Sequence, residues 1–270
     1  MKFGNKNLVS AFDELPLWSA PFGLLLLDKI SMKKNMKVLD IGFGAGFPVF
    51  EIAGRLGDSC LVYGIDLWEE AIERAVFKNE IYGYKNVILL NRSILDSGFE
   101  DNFFDMIVSN NGLNNVDNFT EAINVCNRIL KPGGELVFTQ NLPETMLIFN
   151  IVFEDLLNSF GLIEEIGKFK DYIFEKRKPK EYIFKILENS GFIISESTES
   201  EFIWRFIDGS AFLKQFFIRL AFKENWENLI PQSVKKEFFI ALEKRLNEYS
   251  NKKGELSINI PFICIKATKL

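Results

Sequence analysis

The chain has 270 residues, 47% of them hydrophobic and 26% charged, with a formal net charge of −5 and no histidine. That length allows one large domain or two small ones, and the apolar content suffices for a packed interior. The negative balance argues against a nucleic-acid partner, and the missing imidazole excludes Ser-His-Asp hydrolases, Cys-His proteases and the zinc and iron sites built on histidine.

Residues 1–10 are polar, and the apolar stretch 15–27 is interrupted by Pro16 and Pro21. Neither reads as a secretory signal or a membrane span. Residues 37–41 read as a short buried strand, with Val38, Leu39 and Ile41 apolar and a glycine cluster after them. A helix is expected over 47–56, ended near Gly57, and a second strand over 61–65, ending at Asp66. Residues 68–82 have helical spacing, with Ala71, Ile72, Ala75, Val76 and Phe77 on one face. Strands follow at 86–90 and 104–108, the latter leading into the polar loop 109–115. A helix over 118–130 is stopped by Lys131-Pro132-Gly133-Gly134, and a fifth strand covers 135–140.

Four rounds of strand and helix predict a parallel sheet with helices on both faces and right-handed crossovers. Ligands of such sheets lie beyond the carboxyl ends of the strands. The second half is different. Residues 142–178 read as mostly helical, 179–190 as a helix, 192–206 as a strand, 208–251 as helical with a break at Pro231, and 255–269 as a final strand. The segments 142–178 and 208–254 are expected to be helical insertions on a single domain, forming a substrate cap. Residues 1–35 are expected to form an N-terminal lid and 36–141 the cofactor-binding core. The basic run Lys176-Arg177-Lys178-Pro179-Lys180 is followed at once by Glu181, and it reads as a solvated helix end or loop. Cys60, Cys126 and Cys264 stand singly in apolar stretches, as expected of reduced core thiols in a cytoplasmic protein.

The chemistry concentrates in two places. Gly42, Gly44 and Gly46 follow a buried strand that carries Asp40, and they open a helix. Without Cβ atoms they permit a tight turn and close approach by a ligand. Asp66 ends the next strand, about twenty residues on, where a carboxylate accepts both hydroxyls of a ribose or caps the following helix. The pair suits either a dinucleotide or S-adenosylmethionine. The dinucleotide fingerprint wants Gly-x-Gly-x-x-Gly, whereas here the glycines alternate and Phe47 takes the sixth position. Asp40 also suits a ligand with a cationic amino-acid end better than a pyrophosphate.

With these residues the segments VLDIGFGAG, LVYGIDLWEEAIERA, FEDNFFDMIVSNNGLNNV and RILKPGGELVFTQ resemble, in order, the class I Rossmann-like S-adenosylmethionine-dependent methyltransferases. The likeness is to small-molecule enzymes of the ubiquinone and menaquinone type. It implies a doubly wound, seven-stranded, mostly parallel sheet with an antiparallel last strand. It also implies roles. Gly42, Gly44 and Gly46 pass under the methionine part of S-adenosylmethionine, with Asp40 near its ammonium group. Asp66 holds the ribose, and Leu67 and Trp68 line the adenine. The usual adenine-binding Asp after the third strand is replaced here by Ser93, followed by Ile94, with Asp96 a little further on. Asn110 contacts the cofactor or shapes a turn. Phe12, Trp18, Phe22, Asn114 and Trp204 are the candidates for contact with a small-molecule acceptor, and core packing competes with that role for each aromatic residue. Relatives commonly carry a histidine near Asn114, which this chain lacks, so no general base is assigned. The competing readings are a nicotinamide-dependent oxidoreductase and a non-catalytic binding or scaffold protein.

Overall fold

The computed structural model describes Lys6 and residues 17–270. Phe12 lies outside the described residues. The first half alternates as the periodicity requires. Helix α1 (Ala20–Lys29) leads to β1 (Lys37–Ile41), α2 (Val49–Leu56), β2 (Leu61–Asp66), α3 (Glu69–Tyr82), β3 (Val87–Asn91), β4 (Phe104–Asn110), α4 (Phe119–Ile129) and β5 (Leu130–Asn141). Then follow α5 (Leu147–Ser159), α6 (Ile163–Lys176), α7 (Lys180–Asn189) and β6 (Phe192–Phe206). Short helices α8 (Gly209–Lys214), α9 (Phe216–Ile218) and α10 (Glu224–Asn228) come next, with a π-helical turn at Arg219–Lys223. The long helix α11 (Lys235–Lys253) and β7 (Leu256–Lys269) end the chain.

The seven strands form one sheet in the order β3-β2-β1-β4-β5-β7-β6, mostly parallel, with the last strands antiparallel. Strand β1 pairs in parallel with β2 and β4, so Asp40 lies between Gly64 and Val108. Its neighbours Val38, Leu39, Val62, Met106, Ile107, Val108 and Val137 are fully buried, as expected of central parallel strands covered on both faces. Each such side chain contributes roughly 1.5–3 kcal/mol of transfer free energy. Helix α4 starts where the Asn118 side chain accepts from the Glu121 amide and donates to the Glu121 carboxylate, an N-cap.

Two local readings need correction. Only Ala71 and Ala75 of α3 are buried, while Val76 and Phe77 are exposed. The buried stripe follows the i, i+4 row, and neighbours one and two positions on rotate out of it. Strand β5 starts at Leu130 and includes the Lys-Pro-Gly-Gly segment. A register shift between Phe104 and Met106 admits it as a bulge, and Lys131 pairs there with Asp105 at 2.6 Å.

The chain divides into two compact units. The sheet unit holds the described residues up to Gln140 with Pro179–Ser200 and Phe262–Leu270. The helical unit holds Asn141–Lys178 and Glu201–Pro261. Its core is aromatic: Phe149 stacks on Trp226 at 4.1 Å, and Phe153 meets Phe169 at 4.6 Å and Phe238 at 5.0 Å. The abundant phenylalanines are therefore interior packing here. The three cysteines are free and buried, and burial pushes the Cys126 and Cys264 thiols up to about 12. No helix of the described residues is long and apolar enough to cross a membrane.

Because Phe149 is fully buried against Trp226, Phe153 and Phe212, Phe149→Ala is expected to cost about 3–5 kcal/mol. Urea denaturation of the variant, followed by tryptophan fluorescence, measures it.

Candidate active site

The carboxyl ends of β1, β2, β3 and β4 bring the candidate residues together within the sheet unit. After Ile41 the chain turns sharply. Gly42, Gly44 and Gly46 all have positive φ, at 80°, 54° and 115°. The turn is held by the Gly42 amide donating to the Ile65 carbonyl at 2.8 Å and the Gly46 amide to the Phe43 carbonyl at 2.9 Å. A Cβ on Gly42 would lie 2.7 Å from the Gly112 backbone, but one on Gly44 would meet no atom within 4 Å. The glycines therefore differ in purpose. Gly42 lets two loops touch, whereas Gly44 faces open space.

Asp66 closes the turn from the neighbouring strand. One carboxylate oxygen accepts from the Gly44 amide and the other from the Trp68 amide, both at 2.8 Å. The Asp66 carboxylate thus ties the glycine turn to the start of α3 and satisfies backbone donors that nothing else covers. A carboxylate has about four acceptor sites, so Asp66 keeps acceptor capacity beyond these bonds. Burial raises the Asp66 pKa, and the bonds from Trp68, Gly44 and Leu67 oppose the rise.

Asp40 is in a harsher position. It is 0% exposed, and neither carboxylate oxygen has a well-formed hydrogen bond to a described residue. Burial pushes its pKa well above the usual carboxylate range, and the nearby Asp66 charge pushes further; the Val49 amide gives only a small opposing pull. An unsatisfied buried carboxyl is costly, and a cationic ligand group is the natural remedy.

The remaining candidates divide. Leu67 is exposed and Trp68 buried at the tip of β2. The Ser93 hydroxyl accepts from the Leu95 amide at 3.2 Å, and Ile94 is buried. Asn110 accepts from the Thr139 hydroxyl at 3.0 Å and donates to the Ser19 carbonyl at 3.2 Å, fixing the entry to α1. Asn114 donates to the Asn111 side chain at 3.1 Å inside a short 3₁₀ turn, Leu113–Asn115. Trp18 packs on Phe22 at 5.7 Å, and Phe22 is fully buried against Phe262 at 4.4 Å. Phe22 is a core side chain. Trp204 belongs to the helical unit, edge-on to Phe206 and Phe217 at 5.9 Å each.

Sequence reasoning passed over three residues. Ser109 donates to the Ile41 carbonyl at 2.9 Å and accepts from the Leu113 amide at 3.0 Å. Gly112 fits where a Cβ would stand 2.1 Å from the Ile41 oxygen. Gln140, at the end of β5, is fully buried with both amide atoms unpartnered among the described residues. Ser109 and Gly112 lie inside a quoted segment, and their spacing from Asn110 and Asn111 was the available signal.

The family model described as "Methyltransferase domain" matches residues 32–146. The demethylmenaquinone methyltransferase of Staphylococcus aureus is 27% identical over 201 residues, spanning 71% of this chain and 80% of the relative. Residues 32–146 thus resemble a methyltransferase domain. The fold agrees. A Bacillus halodurans protein crystallised as a candidate methyltransferase superposes with a TM-score of 0.60 at 19% identity, covering 92% of this chain and 98% of that one. Phosphoethanolamine N-methyltransferase 2 of Haemonchus contortus, in complex with S-adenosylmethionine, gives 0.56 at 19% identity over 92% of this chain and 52% of that one. The residues at the site fit S-adenosylmethionine: a buried carboxyl at Asp40 with no well-formed hydrogen bond among the described residues, and open space beside the Gly44 backbone.

Gly44→Ala therefore separates binding from folding. It is expected to lower stability by only about 1–2 kcal/mol, the cost of a left-handed alanine, while saturable binding of S-adenosylhomocysteine is lost. Gly112→Ala, which drives a Cβ into the Ile41 carbonyl, is expected to prevent stable folding. Thermal melts by circular dichroism and titration calorimetry on both variants make the comparison.

Proposed function

We propose that this methyltransferase seats S-adenosylmethionine on the turn 42–46 and the tip of β2, and methylates a small acceptor with a flat, partly apolar body. The bound cofactor supplies a methyl group already activated on a sulfonium. The chain's own residues then have three tasks. Asp40 offers its buried charge to the cationic amino-acid end. Asp66 gives its remaining acceptor capacity to the ribose, while keeping the turn closed. Leu67, Trp68, Ser93 and Ile94 enclose the adenine, and Asn110 sets the boundary with the acceptor side. In-line positioning of nucleophile and methyl then supplies much of the rate.

The acceptor class draws on the relative named for demethylmenaquinone and on the aromatic side chains near the first-half site. Trp18 and Asn114 are assigned to acceptor contact in this reading, and Trp204 with the segments 142–178 and 208–254 to an acceptor-recognising cap. Any proton released is taken by a carboxylate, a tyrosine or water, since the chain has no histidine. A cytoplasmic location is part of the proposal, on the strength of three unpaired buried thiols.

The single observation that carries the reading is the unpartnered Asp40 beneath the glycine turn. Calorimetry with S-adenosylhomocysteine and with NAD, followed by a screen of quinol and phenol acceptors for loss of the donor methyl, tests it. Saturable binding of the homocysteine nucleoside, weakened at least about tenfold by Asp66→Ala, is expected. Tighter binding of NAD, or cofactor binding without methyl consumption on any acceptor, would point to the oxidoreductase or the non-catalytic reading.

A further inference from the structure

The basic run 176–180 is not the solvated helix end its composition suggests. Arg177 is 5% exposed and Lys178 9% exposed. Lys178 turns back onto the Glu175 carbonyl at 2.6 Å. Arg177 closes α6 and lies inside the helical unit. Its Nη1 donates to the Thr145 carbonyl at 2.8 Å, and its Nη2 points at the Met146 sulfur at 3.9 Å. A guanidinium carries five N–H donors. The other three have no acceptor among the described residues, and no carboxylate pairs with the group.

A buried cation without an anion is unfavourable, and proteins rarely keep one that has no use. A second positive feature lies beside it. Helix α5, 13 residues long, begins immediately after Thr145 and Met146. Met146, its N-cap, has φ 62° and gives no side-chain cap, and the first turn holds no acidic residue. The Leu147 amide donates to the Glu144 carbonyl at 3.0 Å and the Asn150 amide to the Met146 carbonyl at 2.9 Å, which leaves the Ile148 and Phe149 amides of this start with no acceptor among the described residues. Tyr172 lies five residues before Arg177 on the same helix. Burial pushes its phenol up, while the Arg177 charge and a hydrogen bond with the Asn225 side chain pull the other way, and the phenol stays protonated.

We propose that Arg177, the Tyr172 hydroxyl and the uncapped start of α5 form a binding site for a small oxyanion, a carboxylate or phosphate group carried by a ligand. A guanidinium presents paired N–H groups that match the two oxygens of either anion. The site stands on the helical unit alone and does not depend on which reaction the sheet unit performs.

Melting of the full chain with increasing sodium benzoate or sodium phosphate, at ionic strength matched with chloride, tests the site. A saturable rise in Tm with at least one of the two is expected. A rise with benzoate alone identifies a carboxylate, and a rise with phosphate alone a phosphate group. Arg177→Met should abolish the rise and leave the anion-free Tm unchanged or higher, because it removes an uncompensated charge. Tyr172→Phe should weaken the anion several-fold, and it decides the matter should the arginine variant fail to fold. The proposal is overturned if neither anion gives a saturable shift, or if the shift persists in Arg177→Met. It is equally overturned if Tyr172→Phe leaves the affinity unchanged, or if Arg177→Met melts lower with no anion effect lost. The guanidinium would then be only a brace on the Thr145 carbonyl.

Discussion

The site is organised around a carboxyl group that the fold leaves unsatisfied. Asp40 stands on the central strand, flanked by Gly64 and Val108, with no water-accessible surface and no well-formed hydrogen bond to either oxygen among the described residues. The glycine turn that follows could have bent to cover it. Instead its amides are committed elsewhere: Gly42 to Ile65, Gly46 to Phe43, Gly44 to Asp66. The result is a turn with its amides already committed, two acidic side chains beside it and, among the described residues, no cation bonded to Asp40. Such an arrangement favours a positively charged guest, and the stability lost in burying the carboxyl is recovered on binding.

The neighbouring strands give that hollow its rigidity. Ser109 bridges Ile41 and Leu113, and Gly112 packs against both Gly42 and the Ile41 carbonyl. Thr139 holds Asn110 and Asn111, and Asn110 in turn holds Ser19. Thus the loop after β4 supports the turn after β1, and the entry to α1 hangs from the same loop. Several of these bonds join a side chain to backbone far away in sequence.

Much of the sheet unit was legible because its signals are local. Apolar runs of four to six residues and the alternating glycines each act within a few positions, and the strands β1 to β4 lie within one or two residues of their expected bounds. The bulge that draws Lys131 to Gly134 into β5 depends on Asp105, which is distant in sequence. Val76 and Phe77 looked interior because they are apolar, but the row that faces the sheet passes them by. Arg177 and Lys178 looked like surface because they are charged. Only the three-dimensional arrangement shows that α6 carries them inside, beside the start of α5. The conflict of charge with burial at Asp40 was likewise invisible: the sequence shows an aspartate before glycines, not the absence of donors around it.

The direction of the Asp40 shift makes the central claim measurable. With its folded pKa raised, the free protein keeps a proton at pH values where the unfolded chain has lost it. Stability should therefore fall as pH rises from the ordinary carboxylate pKa to the raised one. A cationic ligand favours the ionised form, so binding should expel that proton, and affinity should increase with pH across the same window. Calorimetric titration of S-adenosylmethionine in two buffers of different ionisation enthalpy, from acidic to neutral pH, counts the protons directly. Proton release in the wild type that disappears in Asp40→Asn is the predicted result. Binding with no proton released at any pH in that range, or with release undiminished in Asp40→Asn, would contradict the role given to this buried carboxyl.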